Sequence, residues 1–123
     1  MKQAQQVRVS QLRPHEATEE ELLQKLITEL KRGLVVRDPI IADQETWVIL
    51  DGHHRHAAYK ILGLEYAACL FVDYRSPHIH VETRRPGITV SKEEVIRRGL
   101  QGELYPPKTT RHIFDGLVKP PGA

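Results

Sequence analysis

The groups best able to do chemistry in this sequence lie together in Asp51-Gly52-His53-His54-Arg55. The run sits between a strand-like Thr46-Trp-Val-Ile-Leu50 and a helical pattern, so it opens a helix. Glycine lets the backbone come close to a ligand. The first amides of a helix have no internal partners and sit at the positive end of the dipole. Such a place binds phosphate or carboxylate. Arg55 can add a bidentate contact to an anion. His53 and His54 can donate hydrogen bonds and can carry charge near neutral pH. Asp51 fits beside an anion only if it handles a proton, a hydroxyl or a metal. His56 reads as a packing or surface residue rather than a ligand. The spacing of His53, His54 and His56 is not the i, i+4 pair of a helical zinc site, so no metal ligands are assigned among them.

Two further segments carry reactive types. Pro14-His15-Glu16 precedes a helix. Its carboxylate either favours the helix dipole or works as a base. Glu19, Glu20 and Glu21 read as a solvated first turn. Pro106-Pro107-Lys108-Thr109-Thr110-Arg111-His112 sets five donors after two stiffening prolines. Those residues form either an anion site or a solvated basic loop. Trp47 is expected to pack in a hairpin. His78 and His80 share a strand face without a third ligand and read as structural. Asp73 and Tyr74 end a strand, where ligands of α/β sheets gather.

The elements that must position these groups are legible from pattern. Residues 7–9 form a short strand. Thr18 and Glu21 make a capping box for a helix over 19–32, with an apolar stripe of Leu22, Leu23, Leu26, Ile27 and Leu30. Residues 39–42 and 46–50 make a hairpin. Residues 53–62 form a second helix, closed by Gly63. The apolar run 67–74 is a central strand, and 78–82 a further one. Ser91 and Glu94 cap a helix over 91–98 that ends at Gly99. Leu100 to Ala123 reads as a surface-wrapping tail, frayed over 115–123.

Composition narrows the class. With 123 residues, 40% hydrophobic and 28% charged, the chain is expected to be one ordered α/β domain spanning 1–123. No apolar run reaches bilayer length, and the first residues lack a signal-peptide core, so a cytoplasmic protein without membrane contact is expected. Cys69 alone makes neither an internal disulfide nor a four-thiolate site. A net charge of +2 is too balanced to indicate nucleic acid. No oligomeric state is implied.

The runs L-R-P-H-E, P-I-I and V-I-L-D-G-H-H-R-H-A-A-Y-K-I-L-G-L resemble the ParB/sulfiredoxin superfamily over residues 7–74. Sulfiredoxins carry a catalytic cysteine where this chain has His53, and ParB proteins a G-E-R-R-type turn and an added DNA-binding domain. D-G-H-H-R is most similar to the ParB-like free L-serine kinases. The later runs R-P-G-I-T-V-S-K-E-E-V-I, G-L-Q-G-E-L and P-P-K-T-T-R-H extend that resemblance to about residue 114. It implies a small mixed-sheet α/β fold and phosphoryl transfer from ADP or ATP to L-serine, with Mg²⁺. It implies Glu16 as catalytic base and Asp51 as orienting the hydroxyl or metal. Gly52, His53, His54, Arg55, Lys108 and Thr109 would bind nucleotide phosphate, and Thr110, Arg111 and His112 the substrate. The alternative is a non-catalytic ParB-like nucleotide- or DNA-binding regulator.

Overall fold

A computed structural model of the chain describes residues 3–116. In order, the elements are β1 (Gln5–Arg8), a 3₁₀ turn (Val9–Gln11), α1 (Glu20–Lys31), β2 (Ile40–Asp43) and β3 (Ile49–Asp51). They continue with α2 (His53–Ile61), β4 (Tyr66–Val72), β5 (Ile79–Thr83), α3 (Lys92–Gln101) and β6 (Thr110–Phe114).

β1, β4, β2 and β3 form one mixed sheet in that order. β4 runs antiparallel to β1 and parallel to β2, and β2–β3 is the expected hairpin. The interior place of β4 explains its nearly unbroken apolar sequence, since both faces are covered. Its side chains alternate. Cys69 and Phe71 join Val7, Val9, Ile40 and Ile49 on one face. Leu70 and Val72 join Ile41, Val48, Leu50 and Val95 on the other. Full burial of one such aliphatic side chain contributes about 1.5–3 kcal/mol. α1 packs on α2 through Leu23, Ile27 and Ala58.

Four expectations are corrected. The N-cap of α1 is Glu19, not Thr18, and no side chain caps it. The orphan Glu19 amide instead donates to His54 Nε2 at 3.0 Å, a tertiary partner that replaces the local box. Ser91 caps α3 as expected, accepting from the Glu94 amide at 3.1 Å. The helix, however, runs past Gly99 to Gln101 and ends on left-handed Gly102. Gly99 stays helical because it seats α3 on the hairpin: a Cβ there would lie 2.6 Å from Val48 Cγ2. Residues 110–114, expected in a loop, form β6 and pair with β5 in a second, two-stranded antiparallel sheet. Finally, Asp115 is anchored rather than frayed. Its amide donates to the His78 carbonyl at 2.8 Å, and its carboxylate pairs with His80 at 2.9 Å. The rest of the expected frayed end, 117–123, lies outside the described residues.

Candidate active site

The three reactive segments converge. Lone bridges join Arg13 to Val48 and Glu16 to Tyr105, so the Pro14-His15-Glu16 loop is tied to β3 on one side and to the approach to β6 on the other. A cavity of about 300 Å³ results. It is lined by Glu16, Asp51, Gly52, His53, His54, Lys108, Thr110, Arg111 and His112, with Leu22, Leu50 and Arg84.

Glu16 is buried and accepts four donors. The amides of Thr109 and Thr110 reach Oε1 at 3.1 and 2.7 Å, and the Thr110 hydroxyl reaches it at 2.8 Å. The Lys108 amide reaches Oε2 at 3.2 Å. Lys108 has φ 57, and that left-handed residue aims three successive amides at one carboxylate, an anion nest built for a side chain. Oε1 is thus crowded and Oε2 is the more open oxygen.

The turn histidines do something the sequence did not disclose. His53 Nε2 accepts the His15 amide at 3.2 Å, and His54 Nε2 accepts the Glu19 amide at 3.0 Å. An Nε2 that accepts carries no proton, so both rings are neutral with the proton on Nδ1. Burial holds both below the ordinary histidine range. His53 is lowered further by His15 and His112, while Glu16 and Glu19 partly offset the effect at His54. The two rings therefore clamp the backbone on either side of Glu16.

Gly52 has φ 108, and a Cβ there would lie 3.1 Å from both Ile40 Cγ1 and Arg55 Nη2. The space it leaves is used by Arg55, whose guanidinium donates to the Asp38 carbonyl and to Asp51 Oδ2, the latter at 3.3 Å. Arg55 is turned inward, with only 11% of its side chain exposed, while that of Asp51 is 34% exposed. Arg55 does not line the cavity; it braces the carboxylate that does. The first internal bond of α2 runs from the His56 amide to Gly52 at 2.9 Å, which leaves the preceding amides at the helix start.

The β6 segment divides its labour. Thr109 is fully buried, its hydroxyl donates to Pro106 at 2.6 Å, and it acts on the site through its amide. The Lys108 ammonium pairs with Glu19 at 3.1 Å, and the exposed Arg111 with Glu82 at 3.7 Å. His112 is pushed down to about 3 by burial and the neighbouring His15, and its Nε2 shares a hydrogen bond of 2.8 Å with the Tyr74 hydroxyl. Tyr74, a hint from strand position, thus reaches the site through His112.

Two site residues escaped the sequence reading. Arg84 lines the cavity; the signal was its place at the end of an alternating strand, in Thr83-Arg84-Arg85. His15 is wholly buried beside Glu16, and its adjacency in Pro-His-Glu was the available cue. Other residues take the plain roles expected. His56 donates to Val9 O at 2.8 Å, and Trp47 packs on Phe71 at 4.7 Å between centroids. Cys69 is fully buried, and burial pushes its thiol up to about 12, the state of an inert thiol rather than a nucleophile. Among the described residues no three His, Cys, Asp or Glu are grouped to hold a metal, and no helix is long and apolar enough to cross a membrane.

No protein-family profile matches the chain. It is 33% identical over 102 residues to an ATP-dependent L-serine kinase of Desulfurococcus mucosus, a match covering 76% of this chain and 40% of that protein. It is 26% identical over 96 residues to an ADP-dependent L-serine kinase of Thermococcus kodakarensis, covering 75% and 40%. The chain thus spans about 40% of the length of these curated relatives. A solved free serine kinase in complex with AMP superposes with a TM-score of 0.81 at 17% identity, over 91% of this chain and 88% of that one. The chain therefore has the ParB/sulfiredoxin-like fold in the form found in the free serine kinases, and is similar in sequence to the ParB-like L-serine kinases.

Proposed function

We propose that this chain transfers a phosphoryl group from ATP or ADP to the hydroxyl of free L-serine, giving O-phospho-L-serine, as a cytoplasmic enzyme. One observation carries the reading. The Glu16 carboxylate is held by the backbone amides of Lys108, Thr109 and Thr110 in the same cavity as the glycine turn that opens α2. Phosphoryl transfer needs little more from a protein than positioning, charge and a group to take the hydroxyl proton. Glu16 takes that proton on its open oxygen, Oε2. Gly52 and the first amides of α2 hold phosphate. His53 and His54 shape the turn and clamp the Glu16 loop, and Arg55 acts through Asp51. Lys108, Arg111 and Arg84 supply positive charge at the rim. Thr109 acts through its amide, and Thr110 and His112 line the substrate side.

Mg²⁺ neutralises charge on the phosphates in this chemistry. It is commonly held by one or two carboxylates together with the phosphates. Asp51, a partly exposed carboxylate lining the cavity, fits that part. The names of the curated relatives support both serine as acceptor and an adenine nucleotide as donor. The test is a phosphorus NMR screen with serine, Mg²⁺ and each nucleotide in turn. Phosphoserine should form with AMP if ADP is the donor, or with ADP if ATP is. Absence of phosphoserine with both nucleotides would sink the reading.

A further inference from the structure

The Thr110 hydroxyl stands between two acceptors. Its Oγ1 is 2.8 Å from Glu16 Oε1 and 2.9 Å from His15 Nε2. The other ring nitrogen of His15, Nδ1, lies 2.7 Å from the Ile49 carbonyl oxygen, which can only accept. Nδ1 therefore holds a proton, and a neutral ring presents Nε2 as a lone pair. His15 is fully buried, and burial pushes it down to about 4 against the support of the Ile49 carbonyl. The ring is neutral near pH 7. One hydroxyl proton thus faces two acceptors.

We propose that Thr110 is a two-position hydroxyl switch, donating to Glu16 while that carboxylate is ionised and turning to His15 Nε2 once Glu16 has taken a proton. The proposal rests on the reading of Glu16 as the base. An ionised carboxylate is the stronger acceptor. Protonated on Oε2, Glu16 loses the charge-assisted part of the bond at Oε1, and the imidazole lone pair then holds the hydroxyl better. Only the Cβ–Oγ1 torsion changes. The proton from the substrate hydroxyl stays on Glu16, and His15 receives none, so His15 is a positioning residue. The base has a settled hydrogen-bond partner arrangement both before and after the transfer, with no heavy atom moved.

The groups facing the His15 ring are His53 from α2, His112 from β6 and Tyr105 from the segment before β6, at 4.5, 5.7 and 6.3 Å between centroids. Burial keeps both histidines neutral. Glu16 is faced by His54 and by Lys108, whose ammonium pairs with Glu19.

The test is ¹⁵N NMR of the His15 ring in the whole chain without nucleotide. At neutral pH Nδ1 should be protonated and Nε2 bare. At the same neutral pH, Glu16→Gln, which removes the charge without acid, should move Nε2 toward a hydrogen-bonded acceptor, and the Thr110 variants are compared in that background. Thr110→Val should abolish that movement and Thr110→Ser restore it, with a melting curve confirming that each variant is folded. In kinetics, Thr110→Val should move the acid limb of turnover up by roughly one pH unit, since the ionised base loses a donor, and Thr110→Ser should return it. A protonated Nε2 at neutral pH, or the same movement in folded Thr110→Val, would overturn the switch. A wild-type chain that makes no phosphoserine would overturn the kinase reading instead, and the nitrogen shifts would still decide the switch.

Discussion

Thr110 donates twice to one oxygen of Glu16, from its amide at 2.7 Å and from its hydroxyl at 2.8 Å. The two residues are 94 positions apart in sequence. Because the amide belongs to the first residue of β6, pairing of that strand with β5 is also what sets the candidate base.

Glu16→Gln should lower turnover by roughly 10²–10⁴, the usual worth of a positioned base. It should also destabilise the fold, because a glutamine NH₂ would face an amide where an acceptor was. The loss of charged hydrogen bonds should cost about 1.5–3 kcal/mol. Phosphoserine formation at saturating substrates, measured beside urea unfolding, checks both. A variant of wild-type stability with near-normal turnover would remove Glu16 as base.

Arg55→Ala should act mainly on stability and on the placement of Asp51. Its guanidinium is largely buried and bonded to the Asp38 carbonyl and to Asp51. Removing it leaves the carbonyl without that donor, at a cost of about 1–3 kcal/mol. Arg55→Lys should recover only part of this, since one ammonium cannot reproduce the planar fork. Urea midpoints of the three proteins give the comparison, and an unchanged midpoint in Arg55→Ala would contradict the bracing role.

Stability should fall as pH drops from about 7 toward 4. His15 is pushed down to about 4 and His112 to about 3 in the folded chain, against an ordinary value of about 6.5 when unfolded. Between those values the unfolded state binds more protons, so acid favours it. Each such group weakens the fold by at most about 1.4 kcal/mol per pH unit in that window. Urea midpoints at pH 7, 6 and 5 should decline steadily. A flat profile would mean that these rings take up protons in the native state as readily as in the unfolded chain.

Gly99→Ala should destabilise despite the better helix propensity of alanine. Its Cβ would lie 2.6 and 2.7 Å from the two Val48 methyl carbons, and overpacking of that kind costs about 1–3 kcal/mol. Pairing it with Val48→Ala should recover part of the loss. Thermal melts of both singles and the double form the cycle. Additive losses would show that the two sites do not touch.

Much of the architecture was legible because it is written in local pattern. The apolar stripe of α1, the hairpin before Asp51 and the glycine turn into α2 each depend on residues a few positions apart. The continuous apolar run of β4 announced an interior strand, and Ser91 with Glu94 announced a cap. Those signals survive folding because helix and strand periodicity decide which face is buried. What the reactive side chains do was settled only in three dimensions. His53 and His54 stand where phosphate donors were expected, yet their Nε2 atoms accept amides 38 and 35 residues earlier. Arg55 turns from the cavity to Asp38 and Asp51 because Gly52 leaves room for it. β6, too short and polar to be read alone, exists because β5 offers it a paired edge. A donor or acceptor is free only until a distant segment packs against it, and no spacing along the chain records which one will.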